Sequence, residues 1–194
     1  MDKNENFTLI TDNVESCFSY DDYTGLKADT EGLYSLSHKS DANKLSSIIK
    51  DKYGDVRIMD ATAGLGGNSI SFGNYFSNVI SIELNSDRYK LLKENLEVHK
   101  VNNMVFNGNF LNYINMNYDL ILIDPPWGGP NYKFEKSIRI HMDNKSLKDI
   151  TKMLKDKDKI VVFKLPFNYD LNEFKKYNYQ IYQIKNYLIL IIDN

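Results

Sequence analysis

Asp60-Ala61-Thr62-Ala63-Gly64-Leu65-Gly66-Gly67-Asn68 follows a short apolar run, Val56 to Met59, and opens a helical stretch after Gly67. Glycines in a turn between strand and helix let backbone approach a ligand closely and present unshared N–H groups to it. Glu83 ends the next apolar run, Asn78 to Glu83, at about the 20-residue distance where a carboxylate accepts the hydroxyl protons of a ribose. Strand, glycine turn, helix, strand and acid together point to a nucleoside cofactor; the alternative is a tight loop without a ligand. Two features favour S-adenosylmethionine over a dinucleotide. Asp60 opens the loop, where it can meet a cationic methionine end, and no phosphate-contacting Lys or Arg is nearby.

Outward from this loop the βαβ rhythm continues. A helix is predicted to open near Ser86 as N-cap, with Tyr89, Leu92, Leu96 and His99 recurring at spacings of three and four and facing the sheet. Further strands read at Met104 to Phe106, Tyr118 to Ile123, Lys159 to Lys164, Gln180 to Lys185 and Tyr187 to Ile192, the last two as an antiparallel pair. Upstream, residues 1 to 43 are polar and without sustained apolar period, with aromatics at Phe18, Tyr20, Tyr23 and Tyr34. They are read as an N-terminal arm closing the active site, and 44 to 194 as the catalytic domain.

The 194 residues suit one domain, and 24 Lys+Arg against 26 Asp+Glu argue against a broad basic surface that tracks a duplex. Any nucleic-acid contact is expected to be local, with no DNA duplex as partner. Apolar runs such as Leu188 to Ile192 are strand-sized, far below the roughly 18 residues of a membrane span. The first ten residues carry neither a basic nor an apolar leader region, and the single Cys17 cannot form an internal disulfide. These features predict an intracellular chain, in cytoplasm or nucleus, and a monomer. His38, His99 and His141 are dispersed without metal-ligand spacing, so no metal is expected.

The strand from Tyr118 runs straight into Asp124-Pro125-Pro126-Trp127-Gly128-Gly129-Pro130-Asn131-Tyr132. The prolines fix φ and free carbonyls that no helix or sheet uses, so Asp124 and the Pro125 carbonyl can accept protons from an exocyclic amine. Such an amine is a poor nucleophile, because its lone pair is delocalised into the ring. The site must hold it in line with the methyl group while nitrogen becomes tetrahedral. Trp127, the only tryptophan, would stack on the base. The alternative is a rigid turn with Trp127 in the core. Asn109-Phe110 after the Met104 strand is placed for an adenine edge and face, or is an ordinary turn.

These segments, together with Phe163-Lys164-Leu165-Pro166 and the arm stretch Gly25-Leu26-Lys27-Ala28-Asp29-Thr30-Glu31-Gly32-Leu33-Tyr34-Ser35-Leu36-Ser37, resemble the trimethylguanosine synthases, the cap-specific guanine-N2 methyltransferases. The likeness covers roughly residues 18 to 170. It implies a class I S-adenosylmethionine-dependent methyltransferase fold: α/β, Rossmann-like, with a mostly parallel seven-stranded sheet and an antiparallel C-terminal strand. It further implies a 7-methylguanosine RNA cap as acceptor, methylated at N2. The cationic 7-methylated purine suits a Trp face, an attraction of about 0.5–2 kcal/mol.

By the same resemblance, Asp124, Pro125 and Pro126 orient N2 and carry the catalysis. Asp60, Ala61, Gly64, Gly66, Glu83, Asn109 and Phe110 bind the cofactor, with Phe18, Ser35 and Ser37 closing its pocket. Trp127, Asn95 and Tyr132 are expected to face the substrate; Lys39 and Lys133, from their position flanking the presumed pocket rather than from the resemblance, are read as able to meet cap phosphates. Four positions depart from the family pattern: Asp124 stands for Ser, Asn109 for Asp, Leu33 for Trp, and Phe167 for the Arg after Leu-Pro. Asp124 also makes the motif similar to that of amino methyltransferases acting on adenine N6, cytosine N4, guanine N2 or glutamine. A cap-binding module without turnover is the second alternative.

Overall fold

The computed structural model describes residues 8–9 and 25–193. Phe18, like Cys17, Tyr20 and Tyr23, lies outside the described residues. Contacts divide the chain into two compact units, Met1–Asn115 and Met116–Asn194.

In the first unit, β1 (Ile58–Asp60), β2 (Val79–Glu83) and β3 (Met104–Asn107) run parallel, with Asp60 opposite Ser81 and Glu83 opposite Asn107. Every residue of β1 and β2 is buried, as strands covered on both faces must be. Four helices accompany them: α1 (Thr30–Ser35), α2 (Lys39–Tyr53), α3 (Gly67–Tyr75) and α4 (Ser86–Val98). The cap of α4 corrects the sequence expectation. Asn85, not Ser86, is the N-cap, its Oδ1 accepting from the Asp87 and Arg88 N–H groups at 2.9 and 3.0 Å. The buried stripe of α4 is accordingly Leu91, Leu92, Asn95 and Leu96, with Tyr89 and His99 only half-buried.

The described part of the expected arm is built into this unit. Leu26, Ala28 and Leu36 share a core cluster with Ala63, Leu65, Ile70, Leu92 and Leu96. Lys27–Ala28 pairs antiparallel with Thr8–Leu9, and Asp29 caps α1 by accepting from the Gly32 N–H at 2.6 Å.

The second unit holds β4 (Leu120–Ile123), α5 (Leu147–Lys155), β5 (Ile160–Pro166), β6 (Tyr179–Ile184) and β7 (Tyr187–Ile192). Strand β4 is parallel to β5, and β7 is antiparallel to both β5 and β6, as expected for the final pair. A capping box between Ser146 and Asp149 starts α5. The strands are mostly parallel, with β7 the antiparallel member, which is the α/β class expected from the sequence. No helix among the described residues is long and apolar enough to cross a membrane.

Candidate active site

The carboxyl ends of β1, β2 and β3 gather the expected cofactor residues of the first unit. Gly64 and Gly66 have φ of +56° and +104°, which glycine adopts without the clash a side chain would bring. A Cβ on Gly64 would meet nothing within 4 Å, so the loop presents an open backbone face there. Asp60 is fully buried and accepts from the Ser69 hydroxyl at 2.6 Å, which fixes its carboxylate.

Glu83 is held from both sides by backbone. The Gly64 N–H donates to Oε2 and the Asn85 N–H to Oε1, each at 2.8 Å. A carboxylate has about four acceptor positions, so two remain to receive a ribose diol. The glycine loop and the acid are thus one rigid piece, and this cradle fits a nucleoside with a cationic tail.

Asn109 makes the turn itself: its Oδ1 accepts from the Leu111 N–H at 2.9 Å and caps a short 3-10 helix, Phe110–Asn112. Phe110 is 4% exposed, packed rather than open. Ser37 is buried, and a Cβ on Gly67 would lie 2.8 Å from its carbonyl, so the arm's backbone crosses directly over the start of α3. Ser35 is exposed at the end of α1, its hydroxyl donating to the Gly32 carbonyl at 3.1 Å. Lys39 is exposed at the start of α2, close enough to His99 that its charge, after burial, lowers that imidazole's pKa.

Asn95 is placed otherwise than expected. It is fully buried; its Oδ1 accepts from the Lys27 N–H at 2.7 Å, and its Nδ2 donates to the Lys27 and Leu65 carbonyls, each at 2.9 Å. This amide ties arm to glycine loop and is withdrawn from any substrate.

In the second unit, Asp124 stands at the carboxyl end of β4, where open α/β sheets bind ligands. Burial pushes its carboxyl above the ordinary carboxylate value, and the Lys164 ammonium pulls it part of the way back. Lys164 Nζ donates to Asp124 Oδ2 at 2.7 Å. Pro125 is buried and Pro126 exposed.

Trp127 is half-buried rather than a core residue. Its Nε1 donates to the Lys164 carbonyl at 3.3 Å, and its ring is braced edge-on by Tyr132, with centroids 5.2 Å apart and planes at 82°. Tyr187 lies tilted at 6.5 Å. Gly128 and Gly129, with φ of +88° and +79°, then carry the chain away without side chains. Lys133 is exposed, its Nζ 6.0 Å from the Tyr132 ring centre. Lys164, the ion-pair partner of Asp124, was left without a role by the sequence reading; its one signal was its place in the Phe-Lys-Leu-Pro stretch.

A model of the RNA cap guanine-N2 methyltransferase family matches residues 55–192. The chain belongs to this family. Membership brings with it the methyltransferase fold and S-adenosylmethionine as cofactor. A trimethylguanosine synthase of Schizosaccharomyces pombe is 27% identical over 165 residues, 79% of this chain and 68% of that protein. An uncharacterised protein of Acanthamoeba polyphaga mimivirus is 34% identical over 146 residues, 70% of this chain. The chain spans only 57% of the mimivirus protein's length. Among solved structures, the Thermus thermophilus 16S rRNA N2 G1207 methyltransferase in complex with AdoMet and guanosine superposes with a TM-score of 0.61 at 13% identity, over 79% of this chain and 43% of that one.

Proposed function

We propose that this methyltransferase acts on N2 of 7-methylguanosine at RNA 5′ caps. The observation that carries the reading is Trp127: half-buried, braced by Tyr132 and Tyr187, and three residues from the buried carboxylate of Asp124. A braced, partly open indole is what a flat cationic base stacks on.

S-adenosylmethionine, when bound, supplies a methyl group made electrophilic by its sulfonium. Asp60, Gly64, Gly66 and Glu83 would hold it, with Asn109 toward the adenine. Trp127 stacks on the base and fixes its plane. Asp124 and the Pro125 carbonyl accept the two N2 protons as hydrogen bonds, which favours a pyramidal nitrogen over one conjugated with the ring. As the methyl group would pass to N2 and the donor would leave as its neutral thioether, Asp124 would accept the proton that N2 must lose. For that role Asp124 must be ionised, and Lys164 favours that form against burial. Cytoplasm and nucleus are where such an acceptor is met, and a monomer suffices for this chemistry.

A second reading follows from Asp124 itself. A carboxylate before Pro-Pro-aromatic also serves adenine N6 or glutamine as acceptor. Methyl transfer from labelled S-adenosylmethionine to a 7-methylguanosine cap dinucleotide, an unmethylated guanosine cap, an adenine oligonucleotide and a glutamine peptide separates the readings, with mass spectrometry locating the methyl. Product at N2 of the 7-methylated cap alone is the expected result. Product on adenine or glutamine overturns it, and cap binding without transfer leaves a recognition module.

A further inference from the structure

Next to the Trp127 loop, the second unit carries a cleft of about 370 Å³ lined by Lys136, Phe167, Asn168, Asn172, Lys175 and Tyr179, among others. That volume falls within the roughly 300–1,000 Å³ of small-ligand sites. The cleft has one acid, Asp170, and Arg139 neutralises it through Nη2 at 2.8 Å. Lys136 and Lys175 are exposed and make no ion pair among the described residues, so the cleft keeps two uncompensated cations. Phe167, just after β5, is 48% exposed and lines the same cleft as these lysines.

The cleft is also joined to the base platform. Asn168 Nδ2 donates to the Tyr132 and Glu135 carbonyls, each at 2.8 Å, and Tyr132 is the residue that braces Trp127. An exposed aromatic ring sharing one cleft with two lysines is the chemistry of single-stranded nucleic acid, in which a base stacks and its phosphates meet cations. A duplex is disfavoured, because the cleft has the size of one nucleotide and the chain's net charge is −2.

We propose that this cleft binds the RNA chain that follows the cap, one base against Phe167 and the neighbouring phosphates on Lys136 and Lys175. Which RNA arrives there rests on the cap reading; the cleft's chemistry does not.

The test is fluorescence anisotropy on the full chain with three probes: 7-methylguanosine triphosphate, a capped eight-nucleotide RNA, and the same RNA uncapped. The capped RNA is expected to bind about tenfold tighter than the cap nucleotide. Phe167→Ala, and Phe167→Leu as the variant that keeps apolar bulk, should abolish that gain and leave cap-nucleotide affinity unchanged. In a Lys136→Gln, Lys175→Gln double variant the log–log salt slope for capped RNA should fall by about 1.4, the counterions of two single-strand phosphates. Equal affinity of wild type for cap nucleotide and capped RNA, or a gain that survives in all three variants, overturns the proposal with the cap reading intact. Phe167-dependent binding of uncapped RNA as tight as capped would sink the cap reading and uphold the cleft.

Discussion

Lys164 and Asp124 share a short charged hydrogen bond, Nζ to Oδ2 at 2.7 Å, with side chains only 9% and 16% exposed. Removing one partner of such a pair leaves the other charge buried and uncompensated. The Asp124 carboxyl already titrates above its ordinary value, and without Lys164 burial alone would act on it. In the proposed mechanism the ionised form is the active one, so turnover is expected to rise with pH through this group. Lys164→Met should therefore move the acid limb of the pH–rate profile to higher pH and lower turnover at neutral pH, with recovery at alkaline pH. Lys164→Arg should retain most activity. A limb that stays in place in Lys164→Met removes the residue from this role. Asp124→Ala should lose turnover at every pH while cap binding is largely retained.

For Trp127 the expected effect lies in binding. Trp127→Ala should weaken 7-methylguanosine binding by about 1–2 kcal/mol, and Trp127→Phe by less. Titration calorimetry with the cap nucleotide and separately with S-adenosylmethionine checks this, since only the first affinity should fall.

Arg88 tests the arm. Its Nη2 donates to Asp29 Oδ2 at 3.0 Å and Glu31 Oε2 at 2.9 Å, and its Nε to Asp29 Oδ2 at 3.2 Å. Arg88→Ala is expected to cost about 2 kcal/mol of local stability. Amide exchange at residues 26–33 should speed up, and cofactor affinity should drop several-fold. Unchanged exchange would show that apolar packing alone holds the arm.

Asp55 gives a stability prediction with a defined pH window. Hydrogen bonds from the Ser77 hydroxyl and backbone N–H, and from Lys50, lower its pKa from 3.8 to about 2. A carboxyl depressed in the folded state adds stability above its unfolded pKa, lost as pH falls through the folded one. The melting temperature of Asp55→Asn should lie below wild type at pH 6, and the gap should close between pH 4 and 2.

Local features were legible in the sequence, and long-range pairings were not. Glu83 announced itself by its distance from the glycine loop, and the strands by their apolar runs. Asn85 was missed as a cap because Ser86 beside it is an equally good cap by type, and only geometry chooses between neighbours. Asn95 was misplaced because a polar residue on a helix looks exposed until its partners, the backbone of Lys27 and Leu65, are known. Lys164 had no visible role because its partner lies 40 positions away. The arm stretch was recognisable as a motif, yet its working parts were hidden for the same reason, with Arg88 59 positions from Asp29.

Asn95 answers both the N–H and the C=O of Lys27 with one side-chain amide, as a neighbouring strand would, and with its second amide proton it grips Leu65 inside the glycine loop. Whatever settles the loop settles the arm through this amide, and thermodynamic reciprocity makes the converse equally true. With the loop holding the donor as proposed, donor affinity and arm order are expected to be coupled. A substitution at Asn95, remote from any reacting atom, would register as a change in both at once.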